Sequence, residues 1–196
     1  MKRMLVLVLV LLSVSTGASA NESLFRNSQV GFDFNIPIAY AAAKAGRHYF
    51  AGTLTYGKKN THWELATPFF FNRFSANTEV CCEIHLKRVD LQLRRYFRKS
   101  QHGPYIGVVA RYSDVLGRDE NNINQRVSFS RTGVGAVVGL KTFLFKSRVY
   151  WNTNFHYGYF VNDAPLLASD IGLFPPSEFS SSKFFNLELL KIGFRF

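Results

Sequence analysis

Eight segments of this chain alternate apolar and polar residues with the two-residue period of a strand that has two different faces. Val30–Tyr40 sets Val30, Phe32, Phe34, Ile36, Ile38 and Tyr40 against Gly31, Asp33, Asn35, Pro37 and Ala39. Tyr49–Gly57 sets Phe50, Leu54 and Tyr56 against Tyr49, Thr53 and Thr55. His62–Phe71 sets Trp63, Leu65, Phe69 and Phe71 against His62 and Glu64. In Leu86–Phe97, Val89, Leu91, Leu93 and Phe97 oppose Arg88, Asp90, Gln92, Arg94 and Tyr96. Tyr105–Tyr112, Arg131–Leu144 and Val149–Phe160 follow the same rule. Phe184–Phe196 does so with a change of phase, which predicts a bulge near Leu189-Leu190 that turns Glu188 to the polar side.

The polar faces are heavily charged. A soluble barrel with its apolar faces inward would have to expose them all on one wall. The inverse arrangement fits better, with apolar faces toward lipid and charged faces toward a lumen. The predicted fold is therefore all-β, an eight-stranded antiparallel up-and-down transmembrane barrel. Short connections at Lys99–Gly103 and Lys146–Arg148 alternate with longer ones at Ala41–Arg47, Asn72–Ile84, Val115–Gln125 and Asp163–Lys183. Barrels of this kind keep short turns on the periplasmic side, so the longer set is expected outside.

The N-terminus supports export. Lys2 and Arg3, an apolar run from Met4 to Val14, and Ala18-Ser19-Ala20 form the three regions of a cleavable signal peptide. Residues 1–20 are assigned to it and residues 21–196 to the barrel. Beyond the signal there is no apolar run near the ~20 residues that a spanning helix requires. The chain has 24 Lys+Arg against 13 Asp+Glu, a net charge of +11, and losing Lys2 and Arg3 still leaves +9. In an exported protein this points to anionic lipid and lipopolysaccharide, not to nucleic acid. Twenty Phe and nine Tyr suit a wall with aromatic girdles. Adjacent Cys81 and Cys82 leave a vicinal disulfide, an intermolecular bond or two thiols open.

An eight-stranded lumen is barely wide enough for its own side chains. Asp33, Glu64, Asp90 and Glu188 are expected to pair there with Arg88, Arg94, Arg111, Arg131, Lys141, Lys191 and Arg195 and to plug it. Gly133, Gly135 and Gly139 would make room for facing Arg or Tyr side chains. A narrow small-solute channel is the alternative. His48, Ser113 and Asp114 are weak candidates for an acyl-transfer site near the outer rim, which would suit a lipid A-modifying enzyme of the deacylase or palmitoyltransferase type. The deacylase-type pattern, a His followed two residues on by Ser, is missing. No histidine has metal-ligand spacing, and no metal or cofactor is expected. Basic residues expected in the outer loops are Lys44, Arg47, Lys58 or Lys59, Arg73, Arg118, Arg126 and Lys183.

The run Val89-Asp90-Leu91-Gln92-Leu93-Arg94-Arg95-Tyr96-Phe97 with Gly103-Pro104-Tyr105-Ile106-Gly107, then Gly133–Gly139 and Glu188–Phe196, resembles the small OmpA/OmpW-like outer-membrane barrels. The nearest likeness is to a family of secreted barrels known only as a domain of unknown function. The resemblance implies the outer membrane of a Gram-negative bacterium and recognition of the terminal Phe194 and Phe196 by the barrel-insertion machinery. It carries over no catalytic residue. The expected role is structural or surface-interactive, including that of an accessory subunit with a protein partner.

Overall fold

The computed structural model describes residues 28–36, 40, 44, 48–76, 82–119, 126–144, 148–162 and 182–196. The signal segment, Cys81 and most of the connection before β8 lie outside the described residues. Eight strands form one closed barrel in sequence order, every neighbouring pair antiparallel: β1 Ser28–Asn35, β2 His48–Lys58, β3 Trp63–Ala76, β4 Cys82–Tyr96, β5 Gly103–Asp119, β6 Arg126–Phe143, β7 Val149–Phe160 and β8 Lys183–Arg195. Closure is made by β1 against β8, from Gly31 opposite Arg195 to Asn35 opposite Lys191.

The two faces of the wall are inverted relative to a soluble barrel. Leu54, Tyr56, Leu91, Leu93, Ile106, Val108, Val134, Val138, Tyr159, Phe185 and Leu187 are exposed on the outside. Asp33, Glu64, Asp90, Gln92, Arg94, Arg131, Lys141 and His156 are at most 2 % exposed inside. The alternation expected from the sequence is thus realised with apolar residues outward.

Four expectations are corrected. The first strand stops at Asn35, and Ile36, Tyr40 and Lys44 are helical and exposed instead of strand or loop. Pro37 has no N–H with which to continue a ladder. Second, β3 continues to Ala76 and β4 starts at Cys82, paired with each other, within the expected loop Asn72–Ile84. Third, β5 runs on to Asp119, within the expected loop Val115–Gln125, and β6 starts at Arg126, ahead of the expected Arg131, with Arg118 opposite Arg126. Above the apolar belt the outward residues become polar (His85, Lys87, Asp114, Ser128, Ser130), so the hydrophobic period fades although the hydrogen-bonded ladder does not. Fourth, Arg73, Arg118, Arg126 and Lys183 lie on β3, β5, β6 and β8, and Lys58, the last residue of β2, and Lys59, in the short β2–β3 turn, stand at the opposite end from the long connections.

The bulge is where the phase change puts it. Asn152 faces Lys191 and Asn154 faces Glu188, so Leu189 and Leu190 together oppose one residue of β7. Both leucines are outward and about half exposed, and Leu190 takes a φ of 55°.

Candidate functional site

Strand alternation sends one side chain in two into the lumen, and with eight strands the inward residues meet across it. Toward the short-turn end, β3 contributes Glu64, β4 Arg94 and Tyr96, and β6 Lys141. Lys141 Nζ lies 2.6 Å from Glu64 Oε2, Arg94 Nη1 donates to Oε1 at 3.2 Å, and the Tyr96 hydroxyl donates to Oε1 at 2.9 Å. One carboxylate thus answers two cations. Aromatic faces hold the surplus positive charge: Lys141 Nζ stands 4.2 Å from the Tyr150 ring centroid, and the Arg94 guanidinium 5.0 Å from that of Tyr105.

In the middle, Arg111 on β5 grips Asp90 on β4 with two bonds, Nε to Oδ1 at 2.9 Å and Nη2 to Oδ2 at 2.7 Å. A polar relay ties this pair to the Glu64 cluster. Arg94 Nε donates to Gln92 Oε1 at 2.9 Å, which orients the Gln92 amide so that its Nε2 donates to His156 Nε2 at 3.2 Å. His156 Nδ1 faces both Asp90 Oδ2 at 3.7 Å and Arg111 Nη2 at 3.4 Å, so the imidazole joins the Asp90–Arg111 pair to the relay. On the β8 side, Lys191 joins two carboxylates: it pairs with Glu188 and stands 3.8 Å from Asp33 Oδ1, while donating to Thr53 Oγ1 at 2.9 Å. Arg88 reaches Glu188 at 3.4 Å.

Arg131 and Arg195 occupy the two mouths. Arg131, near the long connections, donates to the Asn162 carbonyl at 3.2 Å and covers the Phe160 ring at 3.8 Å. Arg195, half-buried at the short-turn end, covers Phe143 at 3.8 Å and donates to the Ser100 carbonyl at 3.4 Å. Beneath Arg131 a cavity of about 30 Å³ is lined by Arg88, Arg111, Ser113, Phe160 and Phe184. That is room for a water or two.

The glycines serve as sockets. A methyl group on Gly139 would collide with the Tyr105 ring, and one on Gly193 with the Tyr150 ring. Both tyrosines are fully buried in the lumen. Their rings lie where any larger residue on the facing strand would stand.

Sequence reasoning missed Gln101. It sits in the β4–β5 turn with φ 53°, is 2 % exposed, and donates from Nε2 to the Trp63 carbonyl at 2.8 Å and the Lys58 carbonyl at 3.1 Å. It ties the β4–β5 turn to the β2–β3 turn and packs against Gly57, whose missing side chain leaves its space. A glutamine in a polar turn has no sequence signature for such a role.

The acyl-transfer candidates are not brought together. Ser113 and Asp114 are consecutive on β5, so Ser113 is buried inside while Asp114 is outside, 4.0 Å from Lys87. Both lie several residues short of the strand's end, not at its top. His48 is the first residue of β2, outward, three strands away from β5 at ~4.8 Å per strand. Among the described residues no group of three His, Cys, Asp or Glu side chains is placed to hold a metal ion. Phe194 and Phe196 are outward and exposed at the short-turn end.

Comparison with solved structures finds bacterial proteins of about this length. The chain is similar to Ail, the attachment invasion locus protein of Yersinia pestis, solved in complex with the heparin analogue sucrose octasulfate: 12 % identity over 86 % of this chain and 97 % of that one, TM-score 0.47. It is similar also to Neisserial surface protein A, at 11 % identity over 86 % of this chain and 96 % of that one, TM-score 0.44. No family model matches the chain. No curated protein matches it either.

Proposed function

We propose that this protein is an integral outer-membrane barrel, exported by its signal peptide, whose lumen is closed by its own ion pairs. It acts as a membrane scaffold or surface-interaction element, alone or as a subunit of a larger complex. The observation that carries this reading is the inverted wall: apolar residues outside, a hydrogen-bonded charge network inside. On β4 the outward apolar residues Val89 to Leu93 lie between Lys87 and Arg95. At ~3.3 Å per residue and the usual tilt, those two cations stand roughly 20 Å apart across the layer. That compares with the ~25 Å apolar band of such barrels. Trp63, Trp151, Phe194 and Phe196 ring the short-turn end as an aromatic girdle, which is read as periplasmic.

A lumen packed with Arg94, Lys141, Tyr96, Tyr105 and Glu64 leaves no room for a solute stream. Purified protein in planar bilayers is therefore expected to show no steady conductance. A stable open state would replace the closed reading with that of a narrow channel. Purification in mild detergent tests the subunit reading: a stoichiometric companion supports it, and a monodisperse single species favours a lone scaffold.

A further inference from the structure

Outside the lumen, the wall is not uniform around the barrel at the end carrying the long connections. Following the register outward from the belt on β2, β3 and β4, one row holds Leu54, Thr67 and Leu91, and the next Gly52, Phe69 and Val89. Then the chemistry changes. The next row is Phe50, Phe71 and Lys87, and the one above it His48, Arg73 and His85. Directly opposed residues in adjacent strands have Cβ atoms ~5 Å apart. Four nitrogen-bearing side chains, two of them permanent cations, are thus gathered on three neighbouring strands within one pleat repeat of the apolar belt.

These side chains form a groove of about 330 Å³, walled by His48, Phe50, Phe71, Arg73, His85 and Lys87. Tyr49, Asn72 and Leu86 alternate with them along the three strands and also border it. Immediately below runs a continuous aromatic surface. Phe50 contacts Phe69 at 5.7 Å between ring centroids, Phe69 stacks on Phe32 at 6.3 Å, and Phe32 contacts Phe34 at 5.9 Å. At the height of these two rows β5 and β6 carry Asp114, Leu116, Ser128 and Ser130 instead, so the basic residues of these rows fall on β2 to β4, with Arg118 and Arg126 one repeat higher on β5 and β6.

We infer that this groove binds the phosphorylated headgroup of an outer-leaflet lipid, with the acyl chains lying along the aromatic surface beneath it. This rests on the membrane reading above. An amphiphile is the occupant that matches both parts, anion-binding donors above and an apolar wall below. A soluble anion would use only the upper part. Arg73 offers a planar fork for two phosphate oxygens, Lys87 a point charge, and the imidazoles of His48 and His85 N–H donors. Asp114 faces Lys87 at 4.0 Å, and both are exposed, so this pair is weak and does not hold the lysine away from a phosphate. None of the four has to be unpartnered beforehand, because a guanidinium's five N–H donors serve more than one acceptor.

The test is native mass spectrometry of the mature chain, released from micelles doped with bis-phosphorylated lipid A, with its dephosphorylated analogue, or with inorganic phosphate alone. The unaltered protein should retain the phosphorylated lipid at least about tenfold more than the dephosphorylated one. The double variant Arg73→Gln/Lys87→Gln should lose that preference by about tenfold or more, two surface cations being removed from an anionic lipid. Lys183→Gln, on the far wall beside Tyr159, should keep it. Heat-modifiable migration of each variant shows that the barrel is folded. Equal retention of both lipids, retention by the double variant, or adducts of inorganic phosphate without lipid would each overturn the inference. Insertion into vesicles, read on the same preparation, separates this outcome from failure of the membrane reading: a protein that inserts but shows no phosphate preference overturns only the groove.

Discussion

At the residue scale, the lumen charges are coupled, so removing one partner should cost far more than the same change on the outside. Glu64→Gln leaves Lys141 and Arg94 buried without their carboxylate. Breaking a buried pair this way typically costs about 3–5 kcal/mol. Urea titration of folded protein in vesicles should show that loss. Asp114→Asn, whose partner Lys87 is 49 % exposed, should change stability by less than about 1 kcal/mol. The sockets make a second prediction. Gly139→Ala drives a methyl into the Tyr105 ring and should destabilise by about 1–3 kcal/mol. Because Tyr105 also donates to Asn152 at 3.1 Å, the double change Gly139→Ala/Tyr105→Leu should be milder than the sum of the two single changes, measured by the same titration. Which residues point inward was legible in the sequence, since Asp33, Glu64, Arg88, Asp90, Arg94, Arg111 and Glu188 sit on polar faces of alternating strands. Who pairs with whom was not. Glu64 and Lys141 are far apart in sequence and meet across the lumen, and partners of that kind depend on barrel closure and register, which a periodicity does not encode.

At the element scale, β8 is the informative strand. Its bulge lets Leu187 and Ile192 both face outward although they are separated by an odd number of positions. Deleting Leu190 removes the bulge, and with it a leucine in the left-handed backbone region, while every remaining residue keeps its face. The deletion should therefore still fold. Inserting one alanine between Val137 and Val138 in the unbroken β6 flips every residue beyond it to the wrong face, and should abolish the folded, heat-modifiable band on cold gel electrophoresis. β7 runs over Val149–Phe160 as its alternation foretells, because both its faces keep their character from end to end. The outer halves of β3 to β6 carry no strand signature in the sequence for the opposite reason. They rise past the belt, where outward residues need not be apolar, and only the cross-strand register reveals them as sheet.

For the whole molecule, the paired outer halves of β3 to β6 give the barrel a tall side above the belt. β5 and β6 have 17 and 18 residues, against 8 for β1 and 11 for β2. The basic groove lies where the tall side meets the shorter β2, at the margin of the belt. The candidate enzyme site of His48, Ser113 and Asp114 fails at this scale too, since its members are divided between the inside and the outside of one closed wall. What a closed barrel of this kind offers a partner is its outer surface. Every role proposed for it therefore depends on the belt facing lipid.

The chain contains only two tryptophans, Trp63 and Trp151, and both are outward on the belt near the short-turn end. The most direct measurement is their fluorescence after reconstitution into vesicles whose acyl chains carry bromine at defined depths. Strong quenching is expected, greater for bromine near the headgroups than for bromine at the bilayer centre. Emission indifferent to brominated lipid, from protein that stays folded and dispersed in water without detergent, would contradict the account.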